Sequence, residues 1–381
     1  MAERFAILTT ASDWAAPPRT AGALTQAGAE ICVVSPPGGY AAQTRYKLAD
    51  IVMPIDDMFR GMPSIARALA EDFGAYAILA GDDLAFAALA KLVERMDGLP
   101  LSDTTRALVL RSMPPLAAAK LLASDSAFIV AQQDNQPCPA PPCIANPDLA
   151  EASAFVALHG FPLVVKRDGF ASGHGVTICR SEADLRAAMA RTTGEARNAT
   201  FVLQKFVAGT VYGATVCGAH GRALAGFSFV KHQCSTENGA TSVARHDDRP
   251  EIVQSSFALF ERYGLFGFSG FDYIVEPSGR TYLIEINPRL MPTGHITQFG
   301  VDLCATFLSA VRGQKPPPPP SRTHEYVALF PNEWARDSES QHFRTAFHDV
   351  PWHDPPLLAA MIDRTLAAQT PLERTSWTIN Y

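Results

Sequence analysis

The stretch Gly267–Arg289, GFSGFDYIVEPSGRTYLIEINPR, constrains this 381-residue chain more than any other. Ser278-Gly279 reads as a two-residue hairpin loop, with glycine free to take a positive φ. If Pro277 faces Arg280, then Glu276 faces Thr281 and Asp272 falls directly opposite Glu285. Strand alternation sets Glu285 and Asn287 on one face, with Ile284 and Ile286 on the other. Opposed carboxylates with Cβ atoms ~5 Å apart destabilise a sheet. Two arrangements relieve the repulsion: a hard divalent cation, for which oxygen ligands suit Mg²⁺, or a solvated face where water screens the charges. A one-residue slip of register breaks the pairing.

A second stretch, FPLVVKRDGFASGHGVTIC (Phe161–Cys179), reads as a buried strand ending in Lys166, a small-residue loop and a returning strand. Glycines let successive N–H groups converge on an anion, and a lysine at the strand end adds a compact positive charge. That suits a flap over phosphates; a glycine-rich hairpin with an incidental lysine is the other reading. GxxxxGK[ST] is absent, and the glycines follow the lysine, unlike the order in protein kinases. In a third stretch, TFVLQKFVAG (Thr200–Gly209), a strand delivers Gln204 and Lys205 just before a turn.

The remainder supplies the frame. Arg4–Leu8, Glu30–Val34, Ile51–Pro54 and Ala75–Ala80 read as strands, with helices over Ala21–Ala27 and over Ser64–Phe73 capped by Ser64. This β-α-β rhythm predicts a small parallel sheet. The turn after the first strand lacks GxGxxG, which argues against a dinucleotide site there. After Ala145 the pattern becomes α+β with antiparallel sheets. Pro316–Pro320 is a polyproline II spacer before an extension expected to pack back on the body. With 32 Lys+Arg against 38 Asp+Glu, the net charge of −6 supplies no concentrated basic surface for nucleic acid or anionic membrane. No signal segment or membrane span is read from the sequence, and the seven scattered cysteines suit a reduced, cytoplasmic protein better than a zinc site.

In order and spacing, the lysine flap, the Gln204-Lys205 strand and the acidic hairpin ending in LIEINPR resemble the ATP-grasp superfamily, over roughly Ala107–Gly313. The resemblance implies an α/β and α+β chain. Its layout would be an N-terminal parallel α/β (pre-ATP-grasp) domain at 1–105, a two-subdomain ATP-grasp fold at 106–315 with its flap subdomain at about 145–205, and a Pro-rich linker with a C-terminal extension at 316–381. It implies ATP and Mg²⁺ (or Mn²⁺) as cofactors, small-molecule carboxylate and amine substrates, and a possible homodimer. Carried over by motif, Lys166 and Lys120 would hold ATP phosphates beneath a flap containing Ser172 and Gly173. Gln204, Lys205 and Val207 would meet the adenine. Asp272, Glu285 and Asn287 would bind metal, and Arg289 would steady the transferring phosphate or the acyl phosphate. Position 204 carries an amide where an acid is often found, and Thr210-Val211-Tyr212 leaves the ribose contact unassigned.

The implied activity is ADP-forming ligation of a carboxylate to an amine through an acyl phosphate. Its rivals are a bicarbonate-using carboxylase or carbamoyl-forming relative and a non-catalytic ATP-binding regulator. Lys231 and His232 could enter the same cleft or end a solvated strand. Asp82 and Asp83 sit where an open sheet exposes a crevice, or cap a helix. His342, His348 and His353 read as surface residues, and Arg245 and His246 as part of a mobile loop.

Overall fold

The computed structural model describes residues 3–169, 175–194, 200–236 and 239–369. Its first sheet is parallel, in the order β3-β2-β1-β4, built from β1 (Arg4–Leu8), β2 (Glu30–Ser35), β3 (Ala49–Val52) and β4 (Ala77–Ala80). Strand β1 is buried on both faces, as an inner strand of a parallel sheet must be. Phe5 and Ile7 enter one core, Ala6 and Leu8 the other. The strand order reverses between β1 and β4, so the loops after these two strands flank a crevice at their carboxyl ends. Asp82 closes that corner: it caps the helix Asp83–Arg95 through Ala85 N–H and accepts from Thr9 Oγ1, Thr10 N–H and Oγ1, and Ala11 N–H. It is a structural residue that fixes the loop leading to Trp14.

The helix expected to start at Ser64 instead runs from Ile55 to Arg67, through Pro63, and continues as a π-turn over Ala68–Asp72. Met58, Met62, Ile65 and Leu69 form one buried stripe across the proline, and this packing outweighs the lost hydrogen bond.

A second, antiparallel sheet in the order β5-β8-β6-β7 comprises β5 (Cys143–Ala145), β6 (Leu163–Arg167), β7 (Val176–Cys179) and β8 (Phe201–Lys205). It has its own core. Leu163, Val165, Phe201 and Leu203 face Leu185 and Met189 of the helix Glu182–Gly194. By period-2 alternation, Val164, Lys166, Val202 and Gln204 are left on the opposite face.

The third sheet has seven strands, β13-β12-β9-β10-β11-β14-β15. They are β9 (Thr210–Ala219), β10 (Arg222–Cys234), β11 (Thr241–His246), β12 (Gly267–Val275), β13 (Thr281–Asn287), β14 (Tyr326–Leu329) and β15 (Phe347–Asp349). Arg245 and His246 therefore lie in a strand rather than in a loop. The C-terminal extension contributes the last two strands and is held by three buried carboxylates. Glu333 accepts from Ser242, Ser340 and Arg336 at 2.5–2.8 Å. Asp349 pairs with Arg19 and His295. Asp354 accepts from Thr44 Oγ1 and Arg45 N–H. His342, expected at the surface, is buried behind His232 and Tyr326. All seven cysteines are free thiols, and no helix among the described residues is long and apolar enough to cross a membrane.

Candidate functional site

Residues from the second and third sheets and from the loop after β1 line one cavity of about 600 Å³, including Trp14 from that loop, Lys166 and Gln204 from the second sheet, and Asp272 and Glu285 from the third. Asp272 does pair with Glu285, but by a route the sequence concealed. The hairpin loop has three residues, Pro277-Ser278-Gly279, closed by Glu276 N–H to Arg280 O (2.9 Å) and Gly279 N–H to Glu276 O (2.8 Å), with Gly279 at φ +88°. Val275 consequently faces Thr281, and Tyr273 faces Leu283. A bulge then inserts Ile284 as one extra residue, so Asp272 meets Glu285 and Gly270 meets Asn287. The longer loop and the bulge offset each other. Leu283 and Ile286 both reach the core, whereas Ile284 lines the cavity and its carbonyl accepts from Lys166 Nζ at 2.9 Å.

Asp272 is buried and Glu285 half-buried, and Lys231 and Lys166 are the cations set against them. Asp272 is 5% exposed; one of its oxygens accepts from Lys231, and Oδ1 has no hydrogen-bond partner. Burial pushes the Glu285 carboxyl above its ordinary range, and the neighbouring Asp272 charge adds to this against Lys231 and Lys166. Burial likewise pulls Lys166 down, against the raising influence of Glu285, Asp125 and Asp272. For Lys231 burial opposes charge, but Asp272 and Glu285 outweigh it and hold the ammonium above its usual value. Among the described residues no cluster of three or more His, Cys, Asp or Glu could hold a metal. Two carboxylates and the Asn287 amide do suit a hard cation whose remaining ligands are phosphate oxygens and water. The orphaned Oδ1 and the raised Glu285 carboxyl fit such an ion.

Arg289 is oriented from several sides. Its Nε donates to both Asp83 oxygens (3.0 and 3.1 Å), Nη2 donates to Asn287 Oδ1 (2.7 Å), and the guanidinium stacks over Trp14 at 5.0 Å. Gln204 is 2% exposed and its Nε2 lacks a partner. Val207 lines the same end of the cavity, as does Lys205, whose backbone N–H is already committed to Pro142 O at 2.9 Å. Lys120 is not brought to the site. Its short helix, Leu116–Leu122, directs it to the surface, where Nζ pairs with Glu94 at 2.5 Å. Ser172 and Gly173 lie outside the described residues.

Two groups escaped the sequence reading. Asp125 lines the cavity, its carboxyl held well up by burial and by Glu285, Asp83 and Asp168 against Lys166. In sequence it is an ordinary first-turn acid beside the Ser124 cap. Asp168 accepts from Ser124 Oγ, Ser126 N–H and Oγ, and Thr200 Oγ1. It thereby anchors the chain immediately before Gly169, where a turn aspartate gave no such signal.

Residues 126–315 match the family model described as carbamoyl-phosphate synthase L chain, ATP binding domain. The chain is a member of the ATP-grasp superfamily. It is 27% identical to a pyruvate carboxylase of Aspergillus terreus over 176 residues, which cover 43% of this chain and 15% of that protein. The chain thus spans only a small part of the length of such relatives. Two solved structures share the fold. One is the biotin carboxylase domain dimer of Hydrogenobacter thermophilus 2-oxoglutarate carboxylase, in complex with MgADP, ADP and bicarbonate (TM-score 0.60, 17% identity, 81% of this chain and 70% of that one). The other is an L-amino acid ligase from Bacillus licheniformis (TM-score 0.57, 14% identity, 81% and 74%).

Proposed function

We propose that this ATP-grasp chain binds ATP with Mg²⁺ or Mn²⁺ in the cavity and catalyses ADP-forming ligation of a carboxylate to an amine through an acyl phosphate. The observation that carries this reading is the Asp272–Glu285 pair, with the buried Asp272 leaving Oδ1 unpartnered, set against Lys166. Carboxylate attack on a γ-phosphate brings anion to anion, so cationic groups must already be in place. Asp272, Glu285 and Asn287 would hold the cation, which supplies charge neutralisation at the phosphates. Lys166 would lie along the phosphates and Arg289 beside the transferring group. Gln204 and Val207 would meet the purine edge, the free Gln204 amide donating to a ring nitrogen. A homodimer is proposed on the likeness to a biotin carboxylase domain described as a dimer.

A second reading, bicarbonate activation, is favoured by the pyruvate carboxylase similarity and by the bicarbonate in the biotin carboxylase structure. One assay separates the two: ADP release from Mg·ATP with pooled carboxylic acids and hydroxylamine, beside bicarbonate alone. A hydroxamate formed by the native chain and lost in Glu285→Gln supports acyl-phosphate ligation. ADP release with bicarbonate alone sinks it in favour of carboxylation.

A further inference from the structure

The nucleotide reading uses only part of the cavity. Beyond the carboxylates, the third sheet carries a row of Cα partners running Glu285, Asp272, Gly213, Phe229 across β13, β12, β9 and β10. A Cβ on Gly213 would fall 2.4 Å from the Phe229 ring, and one on Gly270 would fall 2.4 Å from the Met291 thioether. Phe229 and Met291 therefore occupy the space directly above the two glycines and make an apolar floor beside Asp272. Trp14, Pro292, Cys234 and Leu329 continue the lining.

Several polar side chains at this end are already engaged with one another. Thr293 bonds Thr215 at 2.6 Å, Lys231 bonds Asp272, and Arg289 is held by Asp83 and Asn287. Apart from the Lys231 and Arg289 cations, His232 and Thr241, the lining at this end rewards apolar surface. Leu329 comes from the C-terminal extension, which ties this lining to a segment outside the residues matching the family model.

We infer that this chamber is the acid-substrate subsite and takes a carboxylic acid with an apolar alkyl or aryl body, its carboxylate directed to Lys231 and Arg289 and its body to Phe229, Met291 and Leu329. The inference rests on the ligase reading for the role of the acid. Its affinity pattern can be measured without turnover.

The test is calorimetric titration of the full chain, loaded with Mg²⁺ and the non-hydrolysable β,γ-imido analogue of ATP. The probes are acetate, butyrate, hexanoate, octanoate, 3-phenylpropionate and bicarbonate. Affinity should rise about fourfold per added methylene until the chamber is filled, with bicarbonate weakest. Leu329→Trp, which fills the far wall, should weaken octanoate by at least tenfold, and Leu329→Ala should move the best length upward. Affinity that is flat or falling with chain length, or absent throughout, overturns the inference whatever the variants do. A rising series with no ADP release from Mg·ATP keeps the apolar subsite and removes the ligase reading. ADP release with bicarbonate alone, beside a flat series, removes both.

Discussion

In the proposed ligase, Glu285 and Lys166 are the single residues on which the chemistry would turn, and their loss should act in different ways. Glu285→Gln keeps the size of the side chain and deletes its charge, so ADP release should fall by ~10²–10³-fold while the thermal midpoint holds or rises. Near-normal turnover in that variant would remove the metal-ligand role. Lys166→Ala should instead weaken ATP binding about 10–100-fold, the scale of a lost charge-assisted hydrogen bond, as read by calorimetry; an unchanged affinity would argue against the phosphate role. Residue type in local order was enough to select both. It was not enough for Lys120, because an Ala-rich helix states which positions share a face but not which neighbour that face meets. Nor did it select Asp125, and it left Lys231 open between the cleft and a solvated strand end, because the significance of both lies in partners distant along the chain.

Elements explain why the acidic pairing came out of the sequence correctly although the loop did not. Loop length and bulge are both one-residue effects, and hydrophobic alternation registers neither when they compensate. A second bulge lies in β10, where His232 is the extra residue between Lys231 and Gln233. It lets Lys231 and His232 both line the cavity, which strict alternation forbids. The parallel first sheet and the antiparallel body were legible because their strands are long apolar or alternating runs. The helix through Pro63 was not, since packing overrode a local breaker. The floor of the third sheet gives an element-scale prediction. Gly213→Ala must displace Phe229 or the strand and should cost about 1–3 kcal/mol, measured as a lower denaturant midpoint. Gly279→Ala, at the exposed loop with positive φ, should cost about 1 kcal/mol and leave ligand affinity unchanged.

On the scale of the whole molecule, stability should depend on pH through the carboxylates that hold the C-terminal extension. Burial alone would raise the Glu333 carboxyl, but hydrogen bonds from Arg336, Ser340 and Ser242 outweigh it and hold the group below the usual range. Asp349 behaves alike, with Arg19 and His295 overcoming burial. A depressed folded-state pKa contributes stability that is present above the unfolded value of about 4 and lost as pH falls through the folded value. Thermal midpoints should therefore drop between pH 5 and pH 3, and Glu333→Gln should lower the midpoint at pH 7 while flattening that drop. An unaltered acid profile in the variant would exclude Glu333 as a contributor. The same clasps bear on synthesis. Thr44 and Asp354 are 310 residues apart in sequence, so a chain emerging from the ribosome carries its first sheet and its acidic hairpin long before Leu329 and the third clasp exist. Nascent molecules would display the Asp272–Glu285 pair while the wall that Leu329 completes still stood open to chaperones, so the proposed acid chamber would close only after the acidic hairpin has formed.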